Sequence, residues 1–213
     1  MAELTAIDIL IEPDGTALDR ADAENARLRA QYAEGFALDA FHKPHITLLQ
    51  RYVRTAQLDG VFAAVEGVIG SVAIESLPLR ATGIRHMPLA AIPGHGLAAI
   101  VVTPGPETVD LQSKLIEAVS PFVGTGGDAR AFVTTPEEPA INADTLEYVE
   151  RYVPDHSAGH FVAHMTIGLA PLTFLDRVEQ GAFETFDFHP AGLSVYQLGN
   201  NGTARKQLKS FRV

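Results

Sequence analysis

Two short stretches of the chain repeat one arrangement of side chains that can perform acid–base chemistry. Each has the order histidine, apolar residue, threonine, apolar residue: His45-Ile46-Thr47-Leu48 and His164-Met165-Thr166-Ile167. An imidazole gains or loses a proton near neutral pH, and a threonine hydroxyl can donate a hydrogen bond to an anionic oxygen. Two such pairs suit displacement at a phosphodiester, because one histidine can take a proton from the attacking oxygen while the other protonates the leaving oxygen. This scheme requires no metal ion and no cofactor.

The residues around the motifs indicate how the motifs are positioned. Each motif lies in a strand-like segment, where alternation places the histidine and the threonine on one face and the two apolar residues on the other. An amphipathic helix is predicted after each strand, over residues 58–69 and 174–178. The repetition predicts two related strand–helix–strand units about a pseudo-twofold axis, with both histidines facing one cleft.

Hydrophobic periodicity and turn residues predict the remaining elements. Helices are expected over residues 19–32, 111–119 and 142–153. Strands are expected over residues 4–11, 72–89, 98–103, 160–167, 186–198 and 205–213, with hairpin turns at 93–96 and 199–202. The glycines and prolines of residues 124–139 are typical of a loop.

The chain resembles the 2H phosphoesterase superfamily, whose signature is two His-x-Thr/Ser-x motifs. The resemblance lies in the two motifs, in an N-terminal strand containing Ala6-Ile7-Asp8 and in a closing hairpin around Tyr196. The resemblance is strongest to the bacterial branch described as RNA 2′,3′-cyclic phosphodiesterase or 2′-5′ RNA ligase. It implies a bilobal α+β fold in which two antiparallel sheets with flanking helices border a central cleft. It also implies metal-independent cleavage of cyclic phosphates.

The resemblance assigns a role to four residues. His45 and His164 are expected to be catalytic, and Thr47 and Thr166 are expected to bind the substrate phosphate. Which histidine is the base and which the acid depends on how the substrate is oriented, so both assignments stay open.

We expect residues 1–213 to form a single bilobal domain. The motif-bearing units are expected at about 38–84 and 158–199. The two motif histidines are 119 residues apart, which suggests an insertion around 85–157 that reshapes or covers the cleft.

Three further residues are candidates for the site, each with a structural alternative. Arg51 continues the strand phase of the first motif and could contact phosphate, or it could be a surface arginine. Tyr196 could line the cleft or pack in the core. Asp8 is the lone acid in an apolar strand, and it could orient a histidine or cap the strand edge.

A metal site is an alternative because His42 and His160 lie near the motif histidines and would supply two more imidazoles. The alternating apolar pattern indicates strands rather than a helical ligand face, and no His-Glu-x-x-His motif occurs. We therefore predict no metal ligands, a loop position for His42 and an exposed strand end for His160.

Composition and charge limit the partners of the protein. The 16 basic and 26 acidic residues give a formal net charge of −10, so binding to a long duplex is not expected, whereas a nucleotide or short RNA ending in a cyclic phosphate is. Four basic residues near the C-terminus could form a positive rim or a solubilising strand edge: Arg205, Lys206, Lys209 and Arg212. The chain has no cysteine, which excludes a cysteine nucleophile and a zinc finger.

We expect a cytoplasmic protein, because the first apolar run is short and is broken by Asp8, and no apolar stretch reaches 18 residues.

Together, the motifs and the resemblance predict a phosphodiesterase that hydrolyses 2′,3′-cyclic phosphate on RNA ends or nucleotides, with 2′-5′ ligation as the reverse reaction. The alternative is a non-catalytic nucleotide- or RNA-binding module that uses the cleft of histidines and threonines as an anion pocket.

Overall fold

The computed structural model describes residues 3–136 and 138–212. Within those residues it has eight strands and five α-helices: β1 (Leu4–Pro13), α1 (Gly15–Arg29), β2 (Ile46–Arg54), α2 (Leu58–Ile69), β3 (Leu79–Pro88), β4 (His95–Pro104), α3 (Pro106–Val119), α4 (Ala143–His156), β5 (His164–Pro171), α5 (Leu172–Gln180), β6 (Phe186–Phe188), β7 (Pro190–Leu198) and β8 (Ala204–Arg212). No helix in the described part of the chain is long and apolar enough to cross a membrane.

The strands form two four-stranded antiparallel sheets. The first has the order β2-β1-β7-β8 and the second has the order β5-β4-β3-β6. The predicted α+β class with two antiparallel sheets and flanking helices is confirmed. One face of β1 contributes three fully buried isoleucines to the main core, Ile7, Ile9 and Ile11, which explains why this strand is so apolar.

The two halves of the chain repeat one order of elements and exchange one strand. The first half runs β1, α1, β2, α2, and the second runs β4, α3, α4, β5, α5. β3, which follows the first series, pairs with β4 in the second sheet, and β7, which follows the second series after the short strand β6, pairs with β1 in the first sheet. The repeat therefore begins at β1 and at β4, and each motif strand, β2 or β5, lies at the edge of its sheet.

The range 85–157 contains both shared and additional elements. All of β4 and all of α3 lie in it, and both have counterparts in the first half. The additional residues lie between α3 and β5, where the second half carries α4. The first half has only residues 30–45 between α1 and β2.

Several predicted boundaries differ from the structure, and three of the differences have a clear local cause. α1 begins at Gly15 rather than at residue 19, because the Asp14 side chain caps it by accepting a hydrogen bond from the Ala17 amide. β3 begins at Leu79 because a 3-10 turn occupies Ile74–Ser76. β5 begins at His164 because Ala158–His160 forms another 3-10 turn, so the prediction that His160 ends a strand was wrong.

Candidate active site

The two motifs lie at the starts of the two edge strands, which also contact each other. His45 immediately precedes β2, and His164 is the first residue of β5. The His45 side chain retains 20% of its accessible surface, and His164 is exposed. Both imidazoles can therefore be reached from solvent.

Both imidazoles are held by the same backbone contact. The Nδ1 atom of His45 lies 2.7 Å from the carbonyl oxygen of Lys43, and Nδ1 of His164 lies 2.9 Å from that of Val162. A carbonyl oxygen can only accept, so Nδ1 carries the hydrogen and donates it in each case. The Nε2 atom of each ring is therefore left to accept or donate the proton in a reaction.

Both motif strands also carry a β-bulge at the same position. The pairing of β1 with β2 skips Leu48, and the pairing of β4 with β5 skips Ile167. Each skipped residue directly follows the motif threonine. A bulge reverses the alternation of side chains beyond it and is frequent beside active sites.

A buried amide from the other half of the chain holds each bulge. Asn25 of α1 donates to the carbonyl oxygen of Ile167 at 2.8 Å, and Gln112 of α3 donates to that of Leu48 at 3.0 Å. Both amide side chains are buried, at 5% and 0% exposure.

The same two amides hold the segments that lead into the motifs. Asn25 donates to the carbonyl oxygen of Phe36 and accepts from the Leu38 amide, in the loop before His45. Gln112 bonds the carbonyl oxygen of His156 and the Ala158 amide, in the segment before His164. Neither amide was predicted as a site residue, because the partners of both are distant in the chain.

Asp8 lies beneath the first motif. Its side chain is fully buried, and its Oδ2 atom accepts hydrogen bonds from Thr47 Oγ1 at 2.9 Å and from Gln50 Nε2 at 3.0 Å. The same oxygen lies 3.7 Å from His45 Nε2. β1 is an inner strand, so the alternative that Asp8 caps a strand edge was wrong.

Burial raises the pKa of the Asp8 carboxyl above its ordinary value, because the charged form loses its hydration. The charge of His45 and the hydrogen bonds from Gln50 and Thr47 act in the opposite direction and lower it. The net direction is upward.

Arg51 does not follow the phase of the first motif, so that prediction was wrong. The bulge at Leu48 shifts the register, and Arg51 pairs with Ile7, on the face that packs into the main core. Tyr52 lies on the Asp8 face instead. It is 2% exposed, packs in a cluster with Ala6 and donates to a backbone carbonyl of α4.

Tyr196 pairs with Asp8 across β1 and β7 and therefore lies on the same face of the sheet. It is 4% exposed and packs with Leu10 and Ala204. The structure thus places it in a small apolar cluster beside the buried carboxyl.

Aromatic residues of α4 cover the region between the motifs. Tyr148, Tyr152 and His156 recur every four residues and so share a helix face. The ring centroids of Tyr148 and His156 are 4.7 Å apart, and the Tyr152 hydroxyl donates to the Thr47 carbonyl oxygen at 3.4 Å. This helix was predicted from the sequence but its aromatic face was not, although the four-residue spacing could have revealed it.

Charges near both motifs act on the pKa values of this aromatic face. Burial and the Asp8 charge raise the pKa of Tyr148 to about 12. Burial lowers the pKa of His156; Asp155 opposes this, and the charges of His164 and His160 lower it further.

His42 and Arg205 have contacts of their own outside the two motifs. His42 is in a loop, as predicted, where its ring stacks on Phe36 and contacts Asp39. In the described residues, no three His, Asp or Glu side chains converge as metal ligands would. Arg205 pairs with Glu138, and the other three C-terminal basic residues are exposed on the edge strand β8: Lys206, Lys209 and Arg212.

No family model and no curated protein matches this sequence. The fold has a solved counterpart. The chain is similar to the protein TT0787 of Thermus thermophilus, with a TM-score of 0.57 and 13% identity over 98% of this chain and 97% of that one. Two more solved structures match over the full length. A phosphoesterase has a TM-score of 0.45, 11% identity and 99% coverage of both chains, and Usb1 of Kluyveromyces marxianus has a TM-score of 0.47, 9% identity and 98% coverage of both.

Proposed function

We propose that this protein is a metal-independent phosphodiesterase that hydrolyses 2′,3′-cyclic phosphate on RNA ends or nucleotides. One observation carries the proposal: His45 and His164 lie at the starts of equivalent edge strands, each with Nδ1 bonded to the carbonyl two residues upstream. A duplicated geometry that frees the Nε2 atoms of two accessible imidazoles is what paired general acid–base catalysis requires.

The reaction transfers one proton at each histidine. Nε2 of the neutral histidine takes a proton from water as the water oxygen bonds to phosphorus. Nε2 of the protonated histidine gives its proton to the ribose oxygen as the bond from that oxygen to phosphorus breaks. The products are a phosphate monoester and a free ribose hydroxyl, and the two histidines have exchanged protonation states.

The two threonines bind the non-bridging phosphate oxygens in this proposal. Their hydroxyl groups lie two residues from the histidines, and hydrogen bonds at that position stabilise the charge that builds up in the transition state. When an RNA hydroxyl replaces water as the attacking group, the same proton transfers join the two RNA ends, which is the 2′-5′ ligation sense of the reaction.

The surface favours a short substrate that carries a base. A net charge of −10 disfavours long nucleic acid, while Tyr148 is 39% exposed on the same helix face as Tyr152, which contacts the first motif. Aromatic rings stack on nucleobases regardless of their identity. A nucleotide or the last residues of an RNA strand therefore suit the site.

A substrate panel in EDTA tests the proposal. The panel contains the four nucleoside 2′,3′-cyclic phosphates and an oligonucleotide that ends in a 2′,3′-cyclic phosphate. We expect turnover that EDTA does not inhibit, and the product isomer identifies the ester bond that breaks. Binding of these compounds without any turnover would show a non-catalytic nucleotide-binding module, and loss of turnover in EDTA would show a metal-dependent hydrolase.

A further inference from the structure

The surroundings of the two motif threonines differ although their backbones repeat. Thr47 donates its hydroxyl hydrogen to Asp8, whereas the Thr166 hydroxyl has no hydrogen-bond partner among the residues described. Asp8 pairs with the third residue after Thr47, and Leu97 pairs with the third residue after Thr166. The second half therefore has a leucine where the first has a carboxyl group.

This difference limits what Thr47 can do. A hydroxyl group has a single hydrogen, and that of Thr47 is directed at the carboxylate. While Asp8 is ionised it can only accept, so Thr47 cannot also donate to a phosphate oxygen. A protonated Asp8 can donate to the Thr47 oxygen instead, and the Thr47 hydrogen then becomes available to the phosphate.

The burial of Asp8 favours the protonated form. Its Oδ1 atom is buried without a hydrogen-bond partner, as is Oε1 of the neighbouring Gln50. Leaving a bare, charged oxygen in such a place is costly, and an anionic phosphate nearby increases the cost. Burial also raises the pKa of Asp8, which likewise favours the protonated carboxyl group.

The groups around Asp8 offer little compensation for a negative charge. Asp8 meets Thr47 and Gln50 of β2 and His45 immediately before that strand, and it pairs with Tyr196 of β7. On α4, the charge of Asp8 acts on Tyr148 and Tyr152. Only His45 among these can be positively charged. An incoming phosphate competes for that charge, because His45 belongs to the proposed phosphate site.

We propose that Asp8 is a positioning residue that takes up a proton when a phosphodiester binds and so releases the Thr47 hydroxyl to the phosphate. This inference rests on the proposed function. The proton comes from solvent and adds to the carboxylate, the new acid donates to Thr47 Oγ1, and Thr47 donates to a non-bridging oxygen. The carboxyl group returns the proton to solvent when the product leaves.

Adenosine 2′,3′-cyclic phosphate is a suitable probe, because its diester remains a monoanion across the pH range and contributes no titration of its own. The His164→Asn background prevents turnover. In that background, Asp8→Asn supplies a neutral side chain of the same shape, and Asp187→Asn removes an exposed carboxylate as a matched control for charge.

The first readout is the infrared difference spectrum on binding of the probe. We expect the carbonyl band of a protonated carboxylic acid to appear in His164→Asn and in the Asp187→Asn control, and to be absent from the Asp8→Asn double variant. No such band, or a band that persists without Asp8, overturns the proposal.

The second readout is the Kd of the probe between pH 6 and 9. If binding of the probe takes up one proton, the Kd rises at most about tenfold for each unit of increase in pH. We expect Asp8→Asn to flatten this slope and to bind more tightly than its parent at pH 9. A role of Asp8 in structure alone predicts weaker binding at every pH, which overturns the proposal. Failure of wild-type turnover together with failure of all binding overturns the proposed function as well.

Discussion

His45 Nε2 lies 3.7 Å from Oδ2 of the buried carboxyl of Asp8, and the strand position that corresponds to Asp8 in the other half is Leu97. The two halves therefore resemble each other more in backbone structure than in the side chains that surround the motifs. Two equivalent strands, two equivalent bulges and two equivalent Nδ1 contacts surround motifs of different polarity. Variants of corresponding residues should consequently behave differently.

The two threonines give one such difference. Thr166→Val should lower kcat about 100-fold at every pH, the usual effect of removing one donor to a developing negative charge. Thr47→Val should have a smaller effect at pH 9, where ionised Asp8 already holds the Thr47 hydrogen, than at pH 6. Steady-state kinetics at both pH values checks this, with exposed Thr82→Val as the control. Equal and pH-independent losses at both positions would contradict it.

The two buried amides should act on both stability and rate. Gln112→Leu leaves the carbonyl oxygens of Leu48 and His156 without their side-chain donor, so we expect the free energy of unfolding to fall by about 2 kcal/mol. The substitution should also displace the first motif and thereby lower kcat at least tenfold. Urea unfolding and kinetics measure the two effects.

Asn25→Leu should behave in the same way through the second motif and the loop before His45. Exposed Ser113→Ala on α3 is the control, and it should change neither quantity. If the amide variants lost stability but kept full kcat, the amides would support the fold without positioning the motifs.

Asp8 should make stability depend on pH. The pKa of Asp8 in the folded protein lies above its ordinary value of 3.8, so the native state holds this proton more tightly than the unfolded state does. The contribution of this proton to the free energy of unfolding is greatest below pH 3.8 and decreases as the pH rises through the folded-state pKa. Urea unfolding at a series of pH values should therefore show Asp8→Asn gaining stability relative to wild type as the pH rises. A constant difference would mean that the two states bind the proton equally.

Tyr148 should contribute to binding of the base and not to the chemical step. Tyr148→Ala should raise the KM for a nucleoside 2′,3′-cyclic phosphate about tenfold, since stacking of one base is worth about 1–3 kcal/mol. Tyr148→Phe keeps the ring and should keep the KM. A ribose 2,3-cyclic phosphate without a base should be hydrolysed equally by all three proteins, and an effect of Tyr148→Ala on that substrate would place the residue at the reacting group.

The motifs and most elements were predictable from sequence because they depend on local pattern. The helix over Leu58–Ile69 was predicted to the residue, and the β3–β4 and β7–β8 hairpins follow from their turn residues. Arg51 was placed on the wrong face because a bulge depends on the pairing between strands, which no local alternation reveals.

The supporting residues of the site were harder to predict. Asn25 bonds a carbonyl 142 residues away, and Gln112 bonds one 64 residues away. Nothing in their immediate sequence distinguishes them from other helical amides. Asp8 could be noticed as an acid in an apolar strand, but its contacts with Thr47 and His45 depend on the register between β1 and β2.

The central claim is that His45 and His164 act together as acid and base, and single and double substitution tests it most directly. We would measure kcat on a 2′,3′-cyclic nucleotide in EDTA for His45→Ala, His164→Ala and the double variant, with His42→Ala as the control. Because the two groups serve one transition state, we predict that each single change abolishes most of the activity, that the double change costs little more, and that the control is unaffected. Full activity in either single variant would contradict the claim.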